Sequence, residues 1–144
     1  MLTIDMSIRQ QMRFESGLLK VDASGEFSLG EAQGAFLDML EAVAHHHAEK
    51  VLLDCRNVTG EPQQFERFIY GEFAALATRR LAYEHGTFPQ FAYVLHEPLR
   101  DPDRYGEIVA QNRGMRIKVF ETPEEAMEWL GLAPHNKLLA QLDS

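Results

Sequence analysis

What the sequence lacks limits the kinds of protein it can encode. It contains a single cysteine, Cys55, so no disulfide can form within the chain. Its 14 basic residues against 22 acidic ones give a net charge of −8. This balance disfavours general binding to nucleic acids or anionic membranes, because phosphate contacts need clustered Lys and Arg. No apolar run is long enough to cross a bilayer, so we expect no membrane span.

Motifs that announce common chemistries are also missing. The glycines of residues 25–34 do not form a dinucleotide-binding fingerprint, and no P-loop or zinc-ligand spacing occurs. His45–His47 invite a metal interpretation, but adjacent helical residues point about 100° apart and cannot all face one ion. The first residues lack the basic flank and apolar stretch of a signal peptide. We therefore expect a cytoplasmic protein without a metal or cofactor.

What is present fits one globular domain. The chain has 144 residues, of which 45% are hydrophobic and 25% charged. A domain of this size buries about 70% of the surface of its unfolded chain, which is enough for one core. We expect a single domain over residues 1–144, with residues 132–144 as a C-terminal extension.

Apolar periodicity and turn residues predict the order ββαβαβαβα. An opening hairpin followed by alternating strands and helices favours an α/β fold, with a mixed, mainly parallel sheet of about five strands flanked by helices. The predicted strands are 8–14, 18–24, 51–54, 91–95 and 117–120. The predicted helices are 28–47, 63–85, one from Asp101 or Asp103 to Gly114, and one from 122. One more short helix is expected after Pro134, around Leu138 and Leu142.

Helix starts are marked by capping signals. Ser28 with Glu31 matches a capping box, and Thr122-Pro123 is a typical N-cap followed by proline. Gly30 and Gly34 lie inside the first helix, where each costs about 1 kcal/mol relative to Ala. We therefore expect them to allow close packing against the sheet or a partner.

The run from Val51 to Gly60 is the most informative segment. Three apolar residues lead into Asp54, followed by polar residues and a glycine, and then by a long helical pattern. This order predicts a buried parallel strand that ends at Asp54 and a loop over Arg56–Gly60 at the ligand-binding edge of the sheet.

An ordered set of segments supports a family resemblance. The chain resembles the STAS-like proteins, which have the anti-sigma factor antagonist fold, and most closely the small bacterial proteins grouped as SpoIIAA-like or STAS/CRAL-TRIO-like, whose function is mostly uncharacterised. The resemblance spans residues 18–131 and rests on Gly25-Glu26-Phe27-Ser28, Val51-Leu52-Leu53-Asp54-Cys55, Thr59-Gly60, Tyr93-Val94-Leu95, Asn112-Arg113-Gly114, Val119-Phe120, Ala126 and Trp129-Leu130.

The resemblance implies a regulatory role. In the signalling branch of that family a partner kinase phosphorylates a serine after the central strand, and Thr59-Gly60 is the nearest match here. The Asp-Ser-Ser-Gly-type signature is absent, which leaves Thr59 as a weak candidate phosphoacceptor. The lipid-transfer branch encloses an apolar ligand with additional helices, for which this chain is short.

Candidate site residues gather at the predicted edge of the sheet. Asp54 either anchors a ligand or accepts hydrogen bonds from backbone N–H groups in the turn, and the second role is favoured because Asp is common in turns. A helix N-terminus near Gln63 would offer free N–H groups to an anion. The residues expected to converge on a ligand or partner are Asp54, Arg56, Thr59, Gly60, Arg67, Tyr70 and His96, with Glu66 beside them.

Catalysis is not expected. A nucleophilic Cys55 would need an activating base, and none is near it in the sequence, so it is better interpreted as a small buried apolar residue. We therefore predict a non-enzymatic regulatory module that binds a protein partner or small ligand. The alternative is a binder or carrier of a lipid or other small apolar molecule, suggested by the aromatic-rich second helix. A homodimer through Ile8–Phe14 or the leucine-bearing tail is also plausible.

Overall fold

The described part of the chain forms one five-stranded sheet with four helices. A computed structural model describes residues 6–132. The elements follow the predicted order ββαβαβαβα: β1 (Arg9–Glu15), β2 (Leu18–Glu26), α1 (Leu29–His46), β3 (Lys50–Thr59), α2 (Gln64–His85), β4 (Gln90–Val94), α3 (Tyr105–Asn112), β5 (Ile117–Phe120) and α4 (Pro123–Trp129).

The sheet is mixed and mainly parallel, which confirms the predicted fold class. Its strands lie in the order β1-β2-β3-β4-β5. β1 pairs antiparallel with β2, and the other neighbours pair in parallel. Because each parallel strand is added on the same side of the previous one, right-handed crossovers place the connecting helices on one face. α1, α2 and α3 accordingly pack together against one face, and α4 packs against the other.

The apolar run at the start of β3 serves both faces of the sheet. Val51 and Leu53 belong to the larger core beneath α1–α3, whereas Leu52 belongs to the smaller core beneath α4. Successive side chains of a strand point to opposite faces, so a strand covered on both sides needs apolar residues at every position. This requirement explains why the run shows no alternation.

The expected loop over Arg56–Gly60 is wrong, because β3 continues to Thr59. β4 pairs with β3 only as far as Asp54, and beyond that point β3 pairs with β2 alone. Between the pairs Asp22–Asp54 and Ser24–Asn57, β3 contains one more residue than β2, which is a β-bulge. On the β4 side, no strand pairs with this extension of β3 in the described structure. Its sequence is polar for this reason and resembles that of a turn.

The start of α1 also differs from the prediction. Ser28 is the N-cap residue, but its side chain makes no capping hydrogen bond, and the Glu31 carboxylate instead accepts from the Ile8 N–H at 2.7 Å. Close packing of Gly30 and Gly34 against the sheet is wrong as well, since a Cβ at either position would meet no atom within 4 Å.

The N-termini of α2 and α4 lie where they were expected, whereas that of α3 does not. α2 carries the capping box of Gln63 and Glu66, and the Thr122 hydroxyl accepts from the Glu125 N–H at 3.2 Å. α3 begins later than predicted, at Tyr105. The Asp101 carboxylate accepts the N–H groups of residues 103 and 105, so it closes a turn before the helix rather than capping it.

Two further features complete the description. His46 stacks on Phe14 with ring centroids 4.5 Å apart, and His47 ends α1 in the left-handed region. None of the helices within residues 6–132 is both long and apolar enough to span a membrane. The predicted helix after Pro134 lies outside the described residues.

Candidate functional site

An apolar cavity lies on the three-helix side of the sheet. Its volume is about 150 Å³, it opens to solvent on one side, and it is lined by α1, α2, α3, the sheet and the segment that joins β4 to α3. Phe36 and Met39 of α1, Ala74 of α2, and Leu53 and Leu95 from the sheet side supply much of its apolar lining. The cavity therefore exists where the helices separate from the sheet near the carboxyl ends of the strands, as ligand sites of α/β sheets do.

Two tyrosines and the single cysteine line this cavity. The hydroxyl oxygens of Tyr70 and Tyr93 lie 2.8 Å apart and form a hydrogen bond. Burial raises the pKa of both phenols above their ordinary range, so both carry their protons at neutral pH. Burial also raises the pKa of the Cys55 thiol to about 12, with the negative charge of Asp54 adding to the effect. The thiol is therefore neutral and a poor nucleophile.

The cavity mouth is bordered by charged side chains that already have partners. Arg67 donates to the carbonyl oxygens of Leu99 at 2.7 Å and Pro98 at 3.1 Å, which ties the segment between β4 and α3 to α2. Arg104 pairs with the buried Glu107 at 2.9 Å, and Glu107 also accepts from the Val119 N–H at 3.2 Å. These contacts fix the shape of the mouth.

The residues predicted to converge at one edge divide between the two faces of the sheet. Arg67 and Tyr70 line the cavity beneath α1–α3, together with Glu66. Asp54 and Arg56 lie with Leu52 on the α4 side, where Arg56 is within electrostatic range of Glu124. The sheet therefore separates the two groups, and the structure does not bring them together as one site.

Asp54 acts on its own strand. Its carboxylate accepts from the Arg56 backbone N–H at 3.1 Å and pairs with the Arg56 side chain at 2.7 Å. Partial burial works to raise the pKa of the carboxyl, but the hydrogen bonds and charge of Arg56 outweigh it and hold the pKa below its ordinary value. The backbone-acceptor role is therefore the one that the geometry shows, at the bulge of β3 rather than in a turn.

The remaining candidates make separate local contacts. The Thr59 hydroxyl donates to the Gly25 carbonyl at 3.3 Å and is exposed at the end of β3, before α2 begins. Gly60 adopts a φ of +111° beside Phe27, a conformation that favours glycine. The His96 Nε2 lies 3.1 Å from the Glu121 carbonyl oxygen. These contacts join the ends of neighbouring strands and the segments that follow them, at the carboxyl edge of the sheet.

Sequence reasoning missed Tyr93 as a site residue. Its place in a continuous apolar strand is typical of a core residue, although a buried tyrosine usually needs a partner for its hydroxyl. Tyr70 of α2, one of the predicted site residues, supplies that partner. The occurrence of these two tyrosines together is the sequence feature from which Tyr93 could have been identified as a site residue.

A second candidate surface is the solvent side of α2. Four large apolar side chains point outward at positions 65, 69, 76 and 83, with Tyr83 92% exposed, Phe65 59% and Leu76 52%. With Ile69 they lie within about 40° of one another around the helix, given 100° per residue. The buried residues of α2, such as Ala74 and Thr78, lie on the opposite side. We call residues 65, 69, 76 and 83 the α2 outer face.

Comparison with known proteins finds relatives by structure alone. No protein-family model matches the sequence, and no curated protein matches it. An anti-sigma factor antagonist from Mycobacterium paratuberculosis is similar in structure, with a TM-score of 0.58 and 18% identity over 90% of this chain and 99% of the other. An uncharacterised protein with a SpoIIAA-like fold from Shewanella loihica gives a TM-score of 0.47 and 17% identity, covering 90% and 98% of the two chains. The chain thus shares the fold of the anti-sigma factor antagonist from Mycobacterium paratuberculosis, which is the fold that the sequence resemblance implied.

Proposed function

We propose that this protein is a non-enzymatic regulatory module that binds a protein partner through the α2 outer face. The observation that carries the proposal is the alignment of four large apolar side chains on the exposed side of one helix. Large apolar side chains grouped on the exposed side of a soluble domain commonly mark an interaction site. Tyrosine is also among the residues that contribute most to binding at protein interfaces.

The fold supports the same proposal. A structurally similar protein is described as an anti-sigma factor antagonist, which is a regulatory role carried out through a protein partner. We propose a regulatory role of this kind, exercised in the cytoplasm, for the present chain. The experiment below therefore tests binding and leaves the pathway open.

The dimensions of α2 indicate how a partner would bind. Its 22 residues give a helix about 33 Å long. A stable interface buries about 800 Å² on each partner, which is more than one helix face provides. α1 and α3 flank α2, and each exposes one large apolar side chain of its own, Leu37 and Ile108. A partner would therefore contact all three helices.

The reactive groups of the described residues are engaged in ways that favour binding over catalysis. Cys55 is a neutral thiol, since burial raises its pKa to about 12. Asp54 is paired with Arg56, and His96 contacts a backbone carbonyl. None of these contacts joins a nucleophile to a base, which is the arrangement that nucleophilic catalysis requires.

Capture of a partner with matched variants tests the proposal. The wild-type chain, purified from the cells that produce it, should retain a defined partner whose dissociation constant can then be measured by calorimetry. Leu76→Glu places a charge in the α2 outer face and should weaken that complex more than about tenfold. Met12→Glu, a matched change at an exposed position of β1, should leave it unchanged. Weakening by Met12→Glu alone would assign binding to the sheet edge and refute the proposal.

A second candidate function is the binding of a small apolar molecule. The supporting observation is the cavity beneath α1–α3 with its apolar lining. Its volume of about 150 Å³ is that of a cavity that holds one benzene-sized molecule. It favours a compact ligand over a two-chain lipid. Native mass spectrometry after mild purification should then detect a bound small molecule, and apo mass in every preparation would count against this function.

A further inference from the structure

The hydroxyl pair in the cavity has one more donor than its hydrogen bond uses. Tyr70 and Tyr93 each carry one O–H proton, and the single bond between them consumes one of the two. Among residues 6–132, neither hydroxyl has another hydrogen-bond partner. The Cys55 thiol nearby is not hydrogen-bonded to either tyrosine. One tyrosine O–H is therefore available to an acceptor from outside the protein.

The position of this donor makes it suitable for ligand recognition. Tyr93 is only 5% exposed, and both tyrosines line the cavity. A buried donor without an acceptor is costly, so a ligand that supplies one is favoured over a ligand of the same shape that does not. The surrounding lining from Phe36, Met39 and Leu53 is apolar and offers a ligand only dispersion and apolar burial.

The charges at the mouth indicate that the ligand is neutral. Arg67 is held by two backbone carbonyls, and Arg104 is paired with Glu107. Arg100 lies 3.4 Å from Glu121 and 3.6 Å from Glu97. The cavity lining carries three guanidinium groups, Arg67, Arg100 and Arg104, and three carboxylates, Glu66, Asp101 and Glu107, so it offers no net charge to balance that of an anionic ligand.

We propose that the cavity binds a neutral, compact molecule, a single ring or a short chain, with one carbonyl, ether or hydroxyl oxygen that accepts from the Tyr70–Tyr93 pair. This inference rests on the second candidate function, the binding of a small molecule in the cavity. It adds the chemical class of the ligand and the group that recognises it.

Three probes of nearly equal size test this assignment. Acetophenone carries a carbonyl acceptor, α-methylstyrene replaces that oxygen with a methylene group, and benzoate carries a negative charge. Dissociation constants are measured by NMR titration for the wild-type protein, Tyr70→Phe, Tyr93→Phe and the double variant. Thermal melting of each variant checks that it is folded.

The expected pattern is specific to a shared donor. The double variant should bind acetophenone about tenfold more weakly than the wild type, while its affinity for α-methylstyrene should change less than about threefold. Either single variant keeps one free O–H and should bind acetophenone within about threefold of the wild type. Benzoate should bind the wild type at least about tenfold more weakly than acetophenone.

The other outcomes separate the two levels of the proposal. If neither neutral probe binds the wild type, cavity binding itself is refuted. If the double variant loses both neutral probes equally, or loses neither, the cavity binds ligands but the hydroxyl pair does not recognise them. Tighter binding of benzoate would overturn the neutral class. If the double variant does not fold, the infrared carbonyl stretch of acetophenone bound to the wild type tests the hydrogen bond instead. A carbonyl that accepts a hydrogen bond absorbs at a lower frequency, so an unshifted band would overturn the inference.

Discussion

Two helical glycines should respond in opposite directions to the same substitution. Gly71 of α2 is buried against α3, and a Cβ there would lie 2.6 Å from the Gly106 carbonyl oxygen and 3.3 Å from the Val109 side chain. Gly34 of α1 faces open space, where a Cβ would meet no atom within 4 Å. Gly→Ala in a helix gains about 1 kcal/mol from backbone propensity at either position.

The packing difference sets the magnitude. Gly34→Ala should stabilise the protein by about 0.5–1 kcal/mol. At Gly71 the clash is with backbone, so α3 must shift, and overpacking of this kind costs about 1–3 kcal/mol. The free energies of unfolding of the two variants should therefore differ by about 1–3 kcal/mol, with Gly71→Ala the less stable.

Urea denaturation of both variants and the wild type, followed by circular dichroism, measures this difference. The slope of the unfolding free energy against urea concentration should stay constant, so that a changed midpoint reports stability. Equal stabilisation by the two substitutions would refute the close contact of α2 with α3. It would also remove the basis for the shape of the cavity mouth, since residues 71 and 106 both line the cavity.

Three further predictions follow from individual contacts. Asp54→Asn should lower stability by about 1 kcal/mol at neutral pH, since the partner Arg56 is partly exposed. Because the folded pKa of Asp54 is depressed, the difference in unfolding free energy from the wild type should be constant above about pH 5 and should shrink as the pH falls below about 4. Urea melts at several pH values would show this change, and a pH-independent difference would contradict it. Cys55 should react with a thiol reagent at pH 8 at least about a hundredfold more slowly in the folded protein than in urea, since burial raises the pKa of its thiol to about 12. Fast reaction of the folded protein would refute a neutral thiol. His47→Gly should stabilise the protein by about 0.5–1 kcal/mol in thermal melts, because His47 has a φ of +52° at the end of α1, and a loss of stability would contradict the left-handed cap.

Most of the fold could be predicted from local sequence patterns. The order of elements, the antiparallel edge strand and the parallel sheet followed from apolar periodicity and short connections. The start of α2 near Gln63 followed from the helical pattern of its apolar residues, and the start of α4 at Thr122 followed from capping chemistry, which is decided within one turn of helix. Such features depend on neighbours in sequence, so a single sequence contains the needed information.

The corrections concern features that depend on distant partners. Whether β3 ends at Asp54 or continues to Thr59 depends on the length of β2, which pairs with it to Glu26. Glu31 fits a capping box locally, but Ile8, more than twenty residues away, supplies the N–H that it binds. The side of the sheet to which Asp54 points depends on strand parity, and a shift of one residue reverses it. The side on which Tyr70 lies depends instead on the crossover that places α2. The division of the candidate site between two faces could not be predicted for this reason.

The central claim is that the protein functions by binding a partner through the α2 outer face. Site-specific photo-crosslinking in the cells that produce the protein tests it most directly. Benzoylphenylalanine would replace Tyr83 on this face in one variant and Glu128, exposed on α4 at the opposite face of the sheet, in the other. We predict a discrete crosslinked species from position 83 that Leu76→Glu removes, and none from position 128. Crosslinking from position 128 alone, or from neither position, would contradict the account.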